Sequence, residues 1–116
     1  MCIRDRSYTT LATSGCASST RGIFAGGQPG VNTISFVTIM TTGDSTDFGD
    51  MTYAAEQLMA CSNSTRGLIS GGGNPGSMVN TINMITIATT GNAADFGDLT
   101  TGRNHMAGCS NGHGGL

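Results

Sequence analysis

The chain contains no lysine, no tryptophan, a single glutamate (Glu56) and two prolines in 116 residues. Its five arginines stand at positions 4, 6, 21, 66 and 103 and form no cluster. Phosphate backbones are held by grouped Lys and Arg side chains, so this spacing argues against a nucleic-acid partner. No apolar run approaches the roughly 18 residues of a membrane-spanning helix, and no apolar secretory segment follows Met1. Histidine occurs only at 105 and 113. No nucleophile–base–acid set stands out, so no catalytic residue is assigned.

What the chain has in quantity is glycine, threonine and serine, arranged in a repeat. Thr20-Arg21-Gly22-Ile23-Phe24-Ala25-Gly26-Gly27 returns as Thr65-Arg66-Gly67-Leu68-Ile69-Ser70-Gly71-Gly72. Thr41-Thr42-Gly43 followed by Asp47-Phe48-Gly49-Asp50 returns as Thr89-Thr90-Gly91 followed by Asp95-Phe96-Gly97-Asp98. The offset is 45 residues before the Pro-Gly loop and 48 after it, so the second copy carries three extra residues there, at Ser77-Met78-Val79. A period of this length makes each copy one supersecondary unit stacked on its neighbours. Residues 7–15 read as the end of a preceding repeat, 16–60 as repeat 1, 61–108 as repeat 2 and 109–116 as the truncated start of a third. Residues 1–6 have no counterpart and resemble the translated remnant of a sequencing-library adapter; they are expected to be a disordered, non-native tail.

Each unit reads as four short strands. In the second copy these are Leu58–Ser62, Arg66–Ser70, Thr81–Ala88 and Phe96–Thr100. Asn63-Ser64-Thr65 supplies turn chemistry between the first two. The third is apolar on both faces and rich in β-branched residues, which suits a sheet covered on both sides. Strands rather than helices are expected at 53–60 and at its counterpart 101–108, which holds two glycines. Cys16, Cys61 and Cys109 occupy one repeat position and are expected to be buried and unpaired, because equivalent positions in successive units sit too far apart for a disulfide. A fragment of two units should leave Val37, Ile39, Ile85 and Ile87 exposed and self-associate.

Several motifs carry chemistry elsewhere. Asp47-Phe48-Gly49 and Asp95-Phe96-Gly97 spell the kinase magnesium triplet, but a kinase needs a strand lysine. They read instead as turns whose Phe plugs the core. Gly71-Gly72-Gly73-Asn74-Pro75-Gly76 fits the dinucleotide fingerprint, yet a strand rather than a helix follows it, so no cofactor is assigned. Asp44, Asp47 and Asp50, like Asn92, Asp95 and Asp98, are spaced by threes but lack the ligand density of calcium loops. His105, His113 and Cys109 lack zinc spacing. No metal site is assigned.

Arg103…His105-Met106-Ala107-Gly108-Cys109, and the diglycine that closes Ile23-Phe24-Ala25-Gly26-Gly27, resemble the kelch repeat over nearly all of residues 7–116. The chain departs from that pattern in lacking the downstream Trp and in placing Thr10 and Ala55 where Arg103 stands. The wording around Asp95-Phe96-Gly97-Asp98-Leu99-Thr100 resembles kelch-like arrays in virion-associated or tail-appendage proteins of marine phages. The resemblance implies an all-β fold: about two four-stranded β-propeller blades, a fragment of a larger propeller. It implies a non-catalytic binding or structural module, on a virion or otherwise extracellular, that contacts a protein or glycan through blade loops. Asn74, Ser77, Met78 and Gln28 are the candidate loop residues. Further blades of a parent chain, or other copies of the fragment, are the remaining expected partners. A kelch-type oxidase or lyase, and an intracellular kelch adaptor, are the alternatives.

Overall fold

The computed structural model describes residues 11–74 and 76–110. Those residues are all-β and form antiparallel sheets, with no helix among them. The first repeat gives β1 (Ser14–Ala17), β2 (Arg21–Ala25), β3 (Val31–Thr38) and β4 (Thr46–Ala55), paired in that order as a meander. The second gives β5 (Met59–Ser62), β6 (Arg66–Ser70), β9 (Thr81–Thr86) and β10 (Ala94–Asp98), with the small hairpin β7 (Gly73–Asn74) and β8 (Ser77–Met78) inserted between β6 and β9. The three extra residues of the second copy follow the tip of this hairpin.

The registers repeat with the sequence. Cys16 faces Ile23 and Cys61 faces Leu68; Ile23 faces Phe36 and Leu68 faces Met84. The β1–β2 and β5–β6 turns are closed by side chains. Asn63 Oδ1 accepts from the backbone N–H of Thr65 and Arg66 at 2.9 and 2.8 Å, and Ser18 Oγ does the same for Thr20 and Arg21 at 3.3 and 3.2 Å. Such bonds offer the chain a turn instead of a continued ladder.

The two Asp-Phe-Gly triplets are not turns. Both lie inside strands, β4 and β10, and both are β-bulges. Ile34 pairs with Gly49 and Ser35 with Asp47, so Phe48 is the extra residue; Ile82 pairs with Gly97 and Asn83 with Asp95, so Phe96 is. A bulge puts two residues opposite one and re-aims the side chain. Phe48 is thereby turned into the core and is 3 % exposed, whereas Phe96 is 56 % exposed and plugs nothing.

The sheets pack on one another around Ile23, Ala25, Ile34, Phe48, Met51, Ala55, Leu58, Ile69, Ile85, Ile87 and Ala93. Ile85 and Ile87, expected to be exposed, are 2 % and 1 % exposed. They belong to the face of the second sheet that meets the first. Each such burial contributes on the order of 1.5–3 kcal/mol. Val37 is half-buried and Ile39 exposed, because their face of β3 is turned away from the second sheet.

Backbone groups bridge the sheets as well. Gly91 N–H donates to Phe48 C=O and Ala93 N–H to Asp50 C=O, each at 2.8 Å, while Asn92 Oδ1 accepts from Asp50 N–H at 3.0 Å. Thr52 N–H donates to Oδ1 of the fully buried Asn83 at 3.1 Å. The Tyr53 hydroxyl points at Gly71 C=O, 2.8 Å away, and Thr81 C=O, 3.2 Å away.

Two sequence expectations change. Residues 101–108 form no strand; they run beside the second sheet without a ladder partner among the described residues. Residues 53–60 are not one strand but the end of β4 and the start of β5, separated by a corner at Gln57. These three cysteines are free, but Cys16 and Cys61 are only half-buried and Cys109 is exposed, with no strand of the described residues on its far side. The expected tail at 1–6, His113 and Leu116 lie outside the described residues.

Candidate functional site

The loops at one end of the sheets are built on a corner that occurs three times. Ala12, Gln57 and His105 stand at one repeat position, and all three are left-handed, with φ of 54°, 57° and 52°. Gln57 N–H donates to Ala12 C=O at 3.3 Å and His105 N–H to Gln57 C=O at 3.2 Å, so the corners stack. Non-glycine residues visit this region at a cost of about 1 kcal/mol or more. The stacked bonds hold them there.

The diglycine after β6 admits the corner. A Cβ on Gly72 would come within 2.7 Å of Glu56 O, and its φ is +91°. Gly72 N–H donates to Arg103 C=O at 2.7 Å, and Glu56 and Gly73 exchange two backbone bonds of 2.9 Å. Glu56 and Gln57 are thereby fixed beside the β7–β8 hairpin. Asn104 joins them by donating from Nδ2 to Gln57 Oε1 at 3.1 Å.

These elements border an open cleft of about 380 Å³ lined by Glu56, Gln57, Asn74, Ser77, Met78 and Asn104. It offers one carboxylate, three carboxamides, a hydroxyl and a thioether. Carboxamides both donate and accept, so the lining can answer a ligand that does the same, and Met78, 60 % exposed, adds a soft apolar contact. Glu56 is the single carboxylate of the lining, which gives no pair for acid–base hydrolysis.

Of the residues singled out from sequence, Asn74, Ser77 and Met78 come together here. Gln28 does not: it lies in the corresponding loop of the first repeat, where its N–H donates to Leu11 C=O at 2.7 Å. Glu56, Gln57 and Asn104 were missed. Their signal was divergence, since Leu11, Glu56 and Asn104 share one repeat position and Ala12, Gln57 and His105 another, while the strands around them keep their wording. Among the described residues no three of the acidic, His or Cys side chains gather as a metal site. No helix among them is long and apolar enough to cross a membrane.

No family model matches the chain, and no curated protein matches it. Among solved structures it is similar to one described as "Structure of YjhT", with a TM-score of 0.74 at 12 % identity. The match covers 89 % of this chain and 36 % of that one, so the chain spans about a third of the YjhT length. At this identity the likeness concerns the fold alone.

Proposed function

We propose that the two sheets are blades of a kelch-like β-propeller and that the chain is a non-catalytic binding module, virion-associated or otherwise surface-exposed, which holds a glycan through its blade loops. The observation that carries this reading is the cleft of Glu56, Gln57, Asn74, Ser77, Met78 and Asn104. Its amides suit vicinal hydroxyls, and its residues come from the positions where the repeats diverge. Loops that vary on a constant scaffold are where recognition is placed. A protein ligand is the second form of the same reading. The alternative from another class is a kelch-type oxidase or lyase, which the resemblance allows; among the described residues the lining presents one carboxylate, Glu56.

The test is a glycan array probed with the purified chain, followed by calorimetric titration of the best ligand. Wild type should bind, and Asn74→Ala and Asn104→Ala should each weaken binding tenfold or more with unchanged circular dichroism. An array without hits, or hits indifferent to both substitutions, removes the glycan reading.

A further inference from the structure

The cleft beside the β7–β8 hairpin carries one formal charge, that of Glu56. No arginine of the described residues joins its lining, and the chain has no lysine to bring there. Glu56 is half-buried, and its backbone is pinned by the paired bonds to Gly73. A ligand that fills the cleft therefore strips water from a fixed carboxylate that no lining cation compensates. Removing water from an ion is costly unless an opposite charge takes its place. An acidic sugar would add a second negative charge. A neutral sugar offers hydroxyls, which restore the hydrogen bonds but leave the charge. An ammonium restores both, and its bonds to a carboxylate are about twice as strong as neutral ones.

The carboxamides are turned to suit such a donor. Asn104 Nδ2 donates to Gln57 Oε1 at 3.1 Å, which leaves Asn104 Oδ1 to accept. The Glu56 oxygens, this carbonyl and the Ser77 hydroxyl provide acceptors for the N–H groups of one ammonium. The charge belongs to one repeat only. Leu11, Glu56 and Asn104 share a repeat position, and Leu11 pairs with Gln28 as Glu56 pairs with Gly73. Leu11 and Asn104 carry no charge, so selection by charge resides at the middle corner.

We propose, on the glycan reading of this cleft, that its ligand is an amino sugar with an unacetylated amine. The ammonium sits on the Glu56 carboxylate and Asn104 Oδ1, and Met78 lies against the sugar ring. N-acetylation removes the charge and with it the pairing.

The experiment is calorimetric titration of the purified chain with a short glucosamine oligomer and with its fully N-acetylated counterpart. Both are titrated in chelator, at about pH 6, where such amines are protonated. Wild type should bind the free-amine oligomer roughly tenfold or more tighter than the acetylated one, as hydrogen bonds to charged groups predict. Glu56→Gln keeps the shape and the backbone pairing, and should remove that difference with unchanged circular dichroism. Asp98→Asn removes an exposed carboxylate outside the cleft and should leave the difference intact, which separates pairing at Glu56 from general attraction to an acidic chain. Equal binding of the two oligomers, or a preference that survives Glu56→Gln, overturns the proposal and leaves the glycan reading standing. So does an array whose hits are neutral or acidic glycans alone. Free-amine binding that requires added calcium overturns it in favour of a bridging cation. A lysine peptide that binds as tightly as the glucosamine oligomer overturns it in favour of a protein ligand. An array without any hit removes both this proposal and the glycan reading beneath it.

Discussion

The hydroxyl of Ser62 meets both polar backbone groups of Ala17, its own counterpart one repeat earlier. Ala17 N–H donates to Ser62 Oγ at 3.2 Å, and Ser62 Oγ donates to Ala17 C=O at 2.7 Å. β1 is the edge of its sheet, so these groups have no ladder partner on that side. One hydroxyl therefore satisfies two groups and ties β1 to β5. Ser62→Ala should lower stability by about 1 kcal/mol, a typical net value for such bonding, read as a lower urea midpoint with an unchanged slope. An unaltered midpoint would show that water serves Ala17 equally well.

Tyr53 ties the outer end of the first sheet to the second. Burial pushes its phenol up to about 12 from an ordinary 10.0. The folded state thus holds the phenolic proton more tightly than the unfolded chain does. The resulting stabilisation is complete below pH 10 and is lost as pH rises through about 12. Tyr53→Phe should cost about 1 kcal/mol at neutral pH, and its deficit relative to wild type should shrink from pH 10 upward. A deficit that stays constant to pH 12 would contradict this account.

The repeat was legible because its strands, Asn63 turn and diglycines are local features stated twice. What was not legible depended on neighbours. Val37 and Ile85 occupy one repeat position with similar side chains, yet among the described residues only Ile85 has a sheet against it. Phe48 and Phe96 differ in burial for the same reason. The segment 101–108 has strand-compatible residues but no ladder partner, and a strand is defined by its partner. The corner at Gln57 was hidden because left-handed φ normally signals glycine or asparagine; here stacking on Ala12 and His105 imposes it. The candidate site was legible only in the loop after the second diglycine, at Asn74 and at Ser77 and Met78 of the insertion. Glu56 and Asn104 reach it through backbone pairing that no local pattern announces.

Gly49 and Gly97 are the same bulge position in two surroundings. Both have positive φ, 145° and 154°, but a Cβ on Gly49 would stand 2.3 Å from Gly91 O, whereas one on Gly97 meets nothing within 4 Å. Gly97→Ala should cost about 1 kcal/mol for backbone strain. Gly49→Ala should cost roughly 3 kcal/mol or more, because the bridge from Gly91 N–H to Phe48 C=O must also yield. Equal losses in urea unfolding would mean that the sheets separate freely at this edge.

Arg21 combines two contacts that its counterpart lacks. Its Nη1 reaches Ile87 C=O of the second sheet, and its guanidinium carbon lies 4.5 Å from the centre of the Phe36 ring. Phe36 in turn stands edge-on to Phe48, with centroids 5.9 Å apart at 81°. A planar cation can lie on a ring while its edge donates to a carbonyl, and an ammonium cannot do both equally well. Arg21→Ala should therefore cost about 2 kcal/mol and Arg21→Lys about 1 kcal/mol, the hydrogen bond to a charged group being the larger part. Arg66→Ala should cost less than about 0.5 kcal/mol, as expected of a side chain on the surface. Equal effects at 21 and 66 would show that Arg21 acts within its own sheet rather than as a link between the two.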